Sequence, residues 1–286
     1  MPIHICKDIQ GAKLLKQEGI SINITDEINK SIKTIGILNL MPNKIETEVQ
    51  ILRLLEATNE KLKVKFIRLR SHKSKYTSYK YLKDNYYLFD EIKKDLDAIV
   101  ITGAPVEKLD FSDVTYIKEL RDIFDYSKDN FKSSVYICWA AQAGLNYLYG
   151  IGKTVLQEKI FGVYNHNILK EDVIFKDINQ GFKSPHSRYT SLVKEDIKRC
   201  MDIKVLCSTD YEEEHIIKGK FNDYYILGHC EYDKHCLKNE YLRDLDLKLE
   251  IKVPKNYFEN NNPNKEITAN WQDSSIKLYK NWINTF

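Results

Sequence analysis

The chain has 286 residues, 43% of them hydrophobic, enough to bury a full core as one large domain. Its 44 basic and 41 acidic residues are interleaved and leave a formal net charge of +3, which argues against the concentrated basic stripe of a nucleic-acid binder. No stretch reaches the ~18 apolar residues of a membrane span, the start Met1-Pro2-Ile3-His4-Ile5-Cys6 lacks a signal peptide's apolar run, and six cysteines are scattered without a disulfide framework. A cytoplasmic protein with free thiols is expected.

Short β-branched runs alternate with helix-like stretches. Lys33 to Leu40 reads as a strand, and the segment carrying Val49, Leu52, Leu54 and Leu55 as an amphipathic helix. A second strand is expected over Leu62 to Leu69. The basic cluster Arg68 to Lys75 that follows, with Tyr76, Tyr79 and Tyr81 beyond it, reads as a solvated loop; the alternative is a polyanion contact. Leu96 to Thr102 is a buried third strand. A helix from about Val114 to Ser127 leads to a fourth strand at Ser134–Ile137, then a helix from about Ala140 to Tyr149. Ile203 to Cys207 and Tyr224 to Leu227 supply later strands. This alternation implies right-handed crossovers and a mostly parallel α/β sheet flanked by helices, with ligands collecting at the carboxyl ends of its strands.

Cys138 stands where the apolar run Val135-Tyr136-Ile137 stops and the small-residue helix Trp139-Ala140-Ala141-Gln142-Ala143-Gly144 begins. That is the plan of a nucleophile elbow. The helix amino end favours a thiolate, and its unpaired N–H groups can hold an oxyanion. A buried structural cysteine is the plainer reading of the segment alone. A candidate base follows a later strand in Leu227-Gly228-His229-Cys230-Glu231, where two-residue spacing projects His229 and Glu231 to one face of an extended chain. An imidazole there could take the thiol proton and the carboxylate could orient it. His229, Cys230, His235 and Cys236 are all possible zinc ligands, but their spacing is unlike that of a zinc site, and no metal is expected.

A cysteine after a strand with a distant His-x-Glu resembles the class I glutamine amidotransferase-like (flavodoxin-like) fold. Further segments narrow the resemblance to the homoserine O-acyltransferases, the homoserine O-succinyltransferase family. These are Leu38-Asn39-Leu40-Met41-Pro42-Asn43-Lys44-Ile45-Glu46-Thr47-Glu48, Ile101-Thr102-Gly103-Ala104-Pro105-Val106-Glu107, Cys138-Trp139-Ala140-Ala141-Gln142-Ala143, Pro185-His186-Ser187-Arg188 and Gly228-His229-Cys230-Glu231-Tyr232-Asp233. The likeness covers almost the whole chain from Met1-Pro2-Ile3. It implies a single acyltransferase domain over 1–286, with a catalytic core over about 33–250, an N-terminal extension (1–32) and a C-terminal one (251–286).

By that resemblance Cys138 carries the acyl group, His229 is the proton acceptor and Glu231 supports it, while Lys159, Ser187 and Arg243 match substrate contacts. Cations suit a homoserine carboxylate, and Arg243 could bind it through a bidentate fork. Glu107 occupies the position that the family associates with the acyl group, glutamate going with acetyl and glycine with succinyl; a carboxylate there would repel a succinyl carboxylate. Two departures stand out: Cys230 replaces a usual proline, and Asn270 to Ser275 lacks a usual Ser-His pair. The implied activity is acetyl transfer from acetyl-CoA to L-homoserine by a ping-pong mechanism, in methionine biosynthesis, with acetyl-CoA as substrate, no cofactor, and a homodimer as the implied assembly. Succinyl transfer, a glutaminase using the same three residues, and a noncatalytic metabolite binder are the alternatives.

Overall fold

The structure is a computed structural model that describes residues 3–25 and 32–286. Met1 and Pro2, where the resemblance begins, and part of the expected N-terminal extension (26–31) lie outside the described residues. In chain order the elements are β1 (Ile3–Ile5), α1 (Gln10–Gln17), β2 (Ile22–Ile24), β3 (Lys33–Leu38), α2 (Lys44–Ala57) and β4 (Leu62–Arg68). Then come α3 (Tyr79–Asn85), β5 (Tyr87–Leu88), α4 (Phe89–Ile92), β6 (Ala98–Ile101), α5 (Ile117–Asn130), β7 (Ser133–Ile137) and α6 (Trp139–Tyr149). The remainder is β8 (Lys153–Ile168), β9 (Phe182–Leu192), α7 (Lys194–Arg199), β10 (Ile203–Thr209), β11 (Glu214–Gly219), β12 (Asp223–Ile226), α8 (Cys236–Asp246) and α9 (Gln272–Ile283).

One sheet runs β2-β1-β4-β3-β6-β7-β12-β11-β10-β8-β9, with β5 beside β4. From β2 through β12 every pairing is parallel, as the alternation of strands and helices implies. Its central strands are buried on both faces, which is why β6 reads Ala-Ile-Val-Ile without a polar break. Ala98 and Val100 meet α1, α2 and α9 through Ile51, Leu52, Leu15 and nearby side chains, while Ile99 and Ile101 meet α5 and α6 through Leu120, Phe124, Ala140 and Leu145. Small residues let α6 lie close: a Cβ on Gly144 would come within 2.8 Å of the Tyr225 ring. The N-terminal strands β1 and β2 extend the sheet past β4, and Trp282 of α9 donates to Ser133 Oγ at 2.9 Å.

Beyond β12 the sheet is antiparallel; of this half only the strand at Ile203–Cys207 is expected from the sequence, as part of β10. The long β8/β9 hairpin breaks register between Val155 and Ile160, and the first part of β8 is polar and half-exposed, so no clean two-residue alternation marks it. This half is rolled up. β10 and β8 lie between β11 and β9, so a flat sheet would hold β11 and β9 about 14 Å apart. Yet His215 on β11 and His186 on β9 have ring centroids 5.0 Å apart, and His229 N–H, just past β12, donates to Pro185 O on β9 at 2.8 Å. The roll brings β9 against the carboxyl end of the parallel sheet, where the site lies.

Candidate active site

Three neighbouring strands, β6, β7 and β12, end together, in a register that pairs Ile101 with Tyr136 and Ile137 with Ile226. The next residues are Thr102-Gly103 after β6, Cys138 after β7 and Leu227-Gly228-His229 after β12. Cys138 therefore sits between the other two ends. A Cβ added to Gly103 would lie 3.4 Å from Cys138 Cβ and 3.5 Å from His229 Cε1, so glycine there leaves open the space between these two side chains.

Cys138 has φ 50° and ψ −112° and is the N-cap of α6. A left-handed backbone at a non-glycine residue costs on the order of 1–3 kcal/mol. Here it is held by Cys138 N–H donating to Ile226 O at 2.7 Å and by Gln142 N–H donating to Cys138 O at 3.1 Å. The sharp turn aims the thiol away from the strand, at the end of α6 whose first N–H groups lack helical partners. The expected elbow is present without flanking glycines, because the strain is confined to the cysteine itself.

His229 Nδ1 is 2.7 Å from Glu231 Oε1, and the Cys138 side chain lies close enough to act on the imidazole electrostatically. All three are buried, with 6%, 3% and 5% exposure for Cys138, His229 and Glu231. Burial by itself would lower the His229 pKa, but Glu231 and Cys138 outweigh it and raise it well above the ordinary value. Glu231 Oε2 has no hydrogen-bond partner among the described residues, which leaves the carboxylate's charge directed at the imidazole. Tyr232 stacks on the His229 ring at 4.1 Å and 16°. The sequence reading quoted Tyr232 only as part of a motif, and nothing in its spacing announces that the chain turns back to place it there.

Lys159, Ser187 and Arg243 converge from β8, β9 and α8 on one carboxylate, Glu240, which the sequence reading did not single out. Lys159 Nζ lies 2.5 Å from Glu240 Oε1 and 3.7 Å from Asp244 Oδ2, Ser187 Oγ donates to Glu240 Oε1 at 2.8 Å, and Arg243 Nη2 is 3.6 Å away. Arg243 is 61% exposed and is bound most closely to Asp244 Oδ1, at 2.6 Å. Burial raises the Tyr232 pKa well above its ordinary value, and the nearby Glu240, Glu231 and Cys138 raise it further. Glu107 closes the other side. Its Oε2 accepts the Tyr189 N–H at 3.0 Å; burial raises its pKa, while that bond, Lys159, His229 and Arg188 oppose the rise.

Lys44, also quoted in a motif without a role, starts α2 beside the end of β3. It is buried and donates to Asn39 O at 2.6 Å, and burial lowers its pKa to about 8 against the opposing charge of Glu48. The quartet weighed as zinc ligands does not assemble: Cys236 Sγ accepts from Gln50 Nε2 and Asp233 N–H, whereas Cys230 Sγ lies against Ser184 and His215. In the basic segment from Arg68 onward, the Arg70 and Ser71 backbone N–H groups bind Glu119 at 2.8 Å, which fixes the loop on α5. Among the described residues, no helix is long and apolar enough to cross a membrane.

Residues 2–286 match the family model described as homoserine O-succinyltransferase. Proteins named homoserine O-acetyltransferase from Clostridium tetani, Bacillus cytotoxicus and Thermotoga petrophila are 42%, 41% and 39% identical to the chain, covering 100%, 100% and 99% of it and 96%, 97% and 95% of their own lengths. Among solved structures, a glutamine amidotransferase from Methylobacillus flagellatus superposes with a TM-score of 0.56 at 11% identity, covering 89% of this chain and 95% of its own. One from Thermotoga maritima gives 0.55 at 11% identity, covering 88% and 96%. At such identity the likeness is one of fold: the chain has the class I glutamine amidotransferase-like architecture.

Proposed function

Because the chain belongs to the homoserine O-succinyltransferase family, we propose that it is a homoserine O-acetyltransferase, moving acetyl from acetyl-CoA to the hydroxyl of L-homoserine in methionine biosynthesis. The observation that carries the mechanism is the left-handed Cys138 at the start of α6, facing across Gly103 a His229 that Glu231 anchors at 2.7 Å.

In the first half-reaction the Cys138 thiolate attacks the thioester carbonyl. The oxyanion is held by N–H groups at the α6 amino end, and the tetrahedral intermediate collapses to release CoA as its thiol, taking the proton from His229. One thioester replaces another, so this step is nearly isoenergetic. Acylation also removes the Cys138 negative charge, one of the influences that hold His229 protonated. The base is thereby eased toward its neutral form when it is needed. In the second half-reaction neutral His229 takes the proton of the homoserine hydroxyl, the alkoxide attacks the acetyl-Cys138 carbonyl, and the thiolate leaves as the ester forms.

Homoserine carries both an ammonium and a carboxylate. Glu240 suits the ammonium, and Lys159, Arg243 and Ser187 suit the carboxylate, so the mutually paired cluster would exchange internal ion pairs for substrate ones. Glu107, within electrostatic reach of Lys159 and His229, disfavours an acyl chain that ends in a carboxylate. The reaction calls for no cofactor, and we expect a cytoplasmic homodimer.

Intact-mass measurement after incubation with acetyl-CoA and, separately, succinyl-CoA tests the reading. An acetyl adduct on Cys138 that homoserine discharges is expected. A succinyl-only adduct would overturn the acyl assignment, and full transfer by Cys138→Ser would overturn the covalent mechanism. Glutamine hydrolysis without CoA-dependent transfer would point to a glutaminase.

A further inference from the structure

Behind the catalytic turn, the rolled antiparallel half gathers three histidines that the acyl-transfer mechanism does not use. His166, His186 and His215 come from β8, β9 and β11, and each is fully buried at 0% exposure. One potential ligand atom from each lies within 4.8 Å of the others. His166 Nε2 is 2.9 Å from His186 Nε2, and His166 and His215 have ring centroids 4.0 Å apart. Burial lowers all three pKa values, that of His166 to about 3, so each ring is neutral at ordinary pH and keeps a nitrogen lone pair.

His186 Nδ1 and His215 Nδ1 have no hydrogen-bond partner among the described residues, and ligation through the Nε2 atoms would leave them so. His166 Nδ1, by contrast, is 3.4 Å from Phe182 O, the contact that orients an imidazole whose other nitrogen holds a metal. Cys230 adds a fourth donor: its buried Sγ lies 4.0 Å from His215 Nε2. Tight backbone packing leaves room for nothing larger beside the rings, since a Cβ on Gly228 would stand 2.7 Å from His215 Cε1 and 3.0 Å from His186 Nε2.

We propose that His166, His186 and His215 form a binding site for a divalent transition metal of the zinc type, with the Cys230 thiolate as fourth ligand. Bonds of about 2.0–2.1 Å to nitrogen and 2.3 Å to sulfur in a tetrahedron place neighbouring nitrogens about 3.3 Å apart and nitrogen about 3.6 Å from sulfur. The observed 2.9 Å and 4.0 Å each need a shift of about 0.4 Å to reach those separations, and histidine donor atoms at the 4.8 Å limit must close by about 1.5 Å. Mixed nitrogen and sulfur donors select zinc-like ions over magnesium or calcium. Loss of the Cys230 proton on binding limits the added charge to one unit. The nearby Arg188 guanidinium opposes a cation, but Glu213 pairs with it at 3.0 Å. His229 and Glu231, on either side of Cys230, are themselves paired. The ion would be structural: it would tie β8, β9 and β11 to the residue between the base and its carboxylate partner, and would enter during folding because the site is closed.

The test is to express the full chain in medium supplemented with Zn²⁺ or with Co²⁺, desalt it with a chelator, and measure metal per chain and the electronic spectrum. About one ion per chain is expected, with tetrahedral Co²⁺ bands and a thiolate-to-cobalt charge-transfer band. Cys230→Ser should keep the Co²⁺ but lose the charge-transfer band. Cys138→Ala should change neither, while His215→Phe and the milder His215→Gln should lose the ion. Trace metal in the wild-type protein, or full occupancy in either folded His215 variant, would overturn the site. A charge-transfer band that survives Cys230→Ser would overturn the thiolate ligand.

Discussion

Replacing Glu231 by glutamine removes a charge while nearly preserving shape. The carboxylate oxygen lies 2.7 Å from His229 Nδ1, and the two side chains are 5% and 4% exposed. With an effective dielectric constant of about 20 and charge centres about 4 Å apart, the attraction between imidazolium and carboxylate is about 4 kcal/mol. The glutamine carbonyl can still accept the Nδ1–H bond, so ring orientation survives and the charge interaction is what disappears. A loss of about 3 kcal/mol in the transition state lowers kcat/KM by about 10²-fold. The assay is steady-state acetyl transfer, together with quenched-flow mass analysis of Cys138 acetylation and an NMR titration of His229. The sign follows from the causes: Glu231 raises the His229 pKa, so the titration midpoint should fall in the variant. A Glu231→Gln enzyme within a few-fold of wild type, with an unmoved His229 midpoint, would refute the role given to this carboxylate.

Glu107→Gly should shift preference from acetyl-CoA toward succinyl-CoA. For two carboxylates about 6 Å apart at a dielectric constant of about 20 the relieved repulsion is about 3 kcal/mol, a specificity change of about 10²-fold in the ratio of kcat/KM values at pH 8. Glu240→Gln should raise the homoserine KM by about 10-fold or more, as expected for a lost charge-assisted hydrogen bond, and should slow the homoserine half-reaction far more than Cys138 acetylation; equal effects on both halves would count against the ammonium assignment. The buried histidines make the metal-free fold acid-sensitive. Their folded pKa values lie below the unfolded one, so the stability they contribute is present above pH ~6.5 and falls away as the pH drops. For His166, with a folded value of about 3, the loss by pH 5 is about 2 kcal/mol. Urea unfolding at pH 7.5 and pH 5 should therefore show a smaller acid-induced loss for His166→Phe than for wild type; an equal loss would contradict the neutral-ring assignment.

The sequence by itself determined the parallel half of the sheet. Double burial makes β6 a continuous apolar run and leaves Val135-Tyr136-Ile137 as the apolar part of β7, and the helices between strands carry matching apolar stripes, so local pattern and tertiary role agree there. Cys138 and His229 were legible for a related reason: each follows the end of a buried apolar strand, where side chains can be presented, and Glu231 was legible from its two-residue spacing to His229. Lys159, Ser187, Arg243 and Glu107 came instead from the family motifs. Their mutual geometry was not legible, because β8, β9, α8 and the loop after β6 meet only once the antiparallel half rolls over the strand ends. That roll depends on a long hairpin with a register break, whose polar, half-exposed face carries no clean period. Tertiary structure alone decided that Glu240 is the carboxylate on which the cationic cluster converges, that Tyr232 stacks on the base, and that three histidines from separate strands share one closed site. The histidine pair His166–His186 and the ion pair Lys159–Glu240 join residues 20 and 81 positions apart in sequence, and no local spacing rule records a meeting that only the packed chain creates.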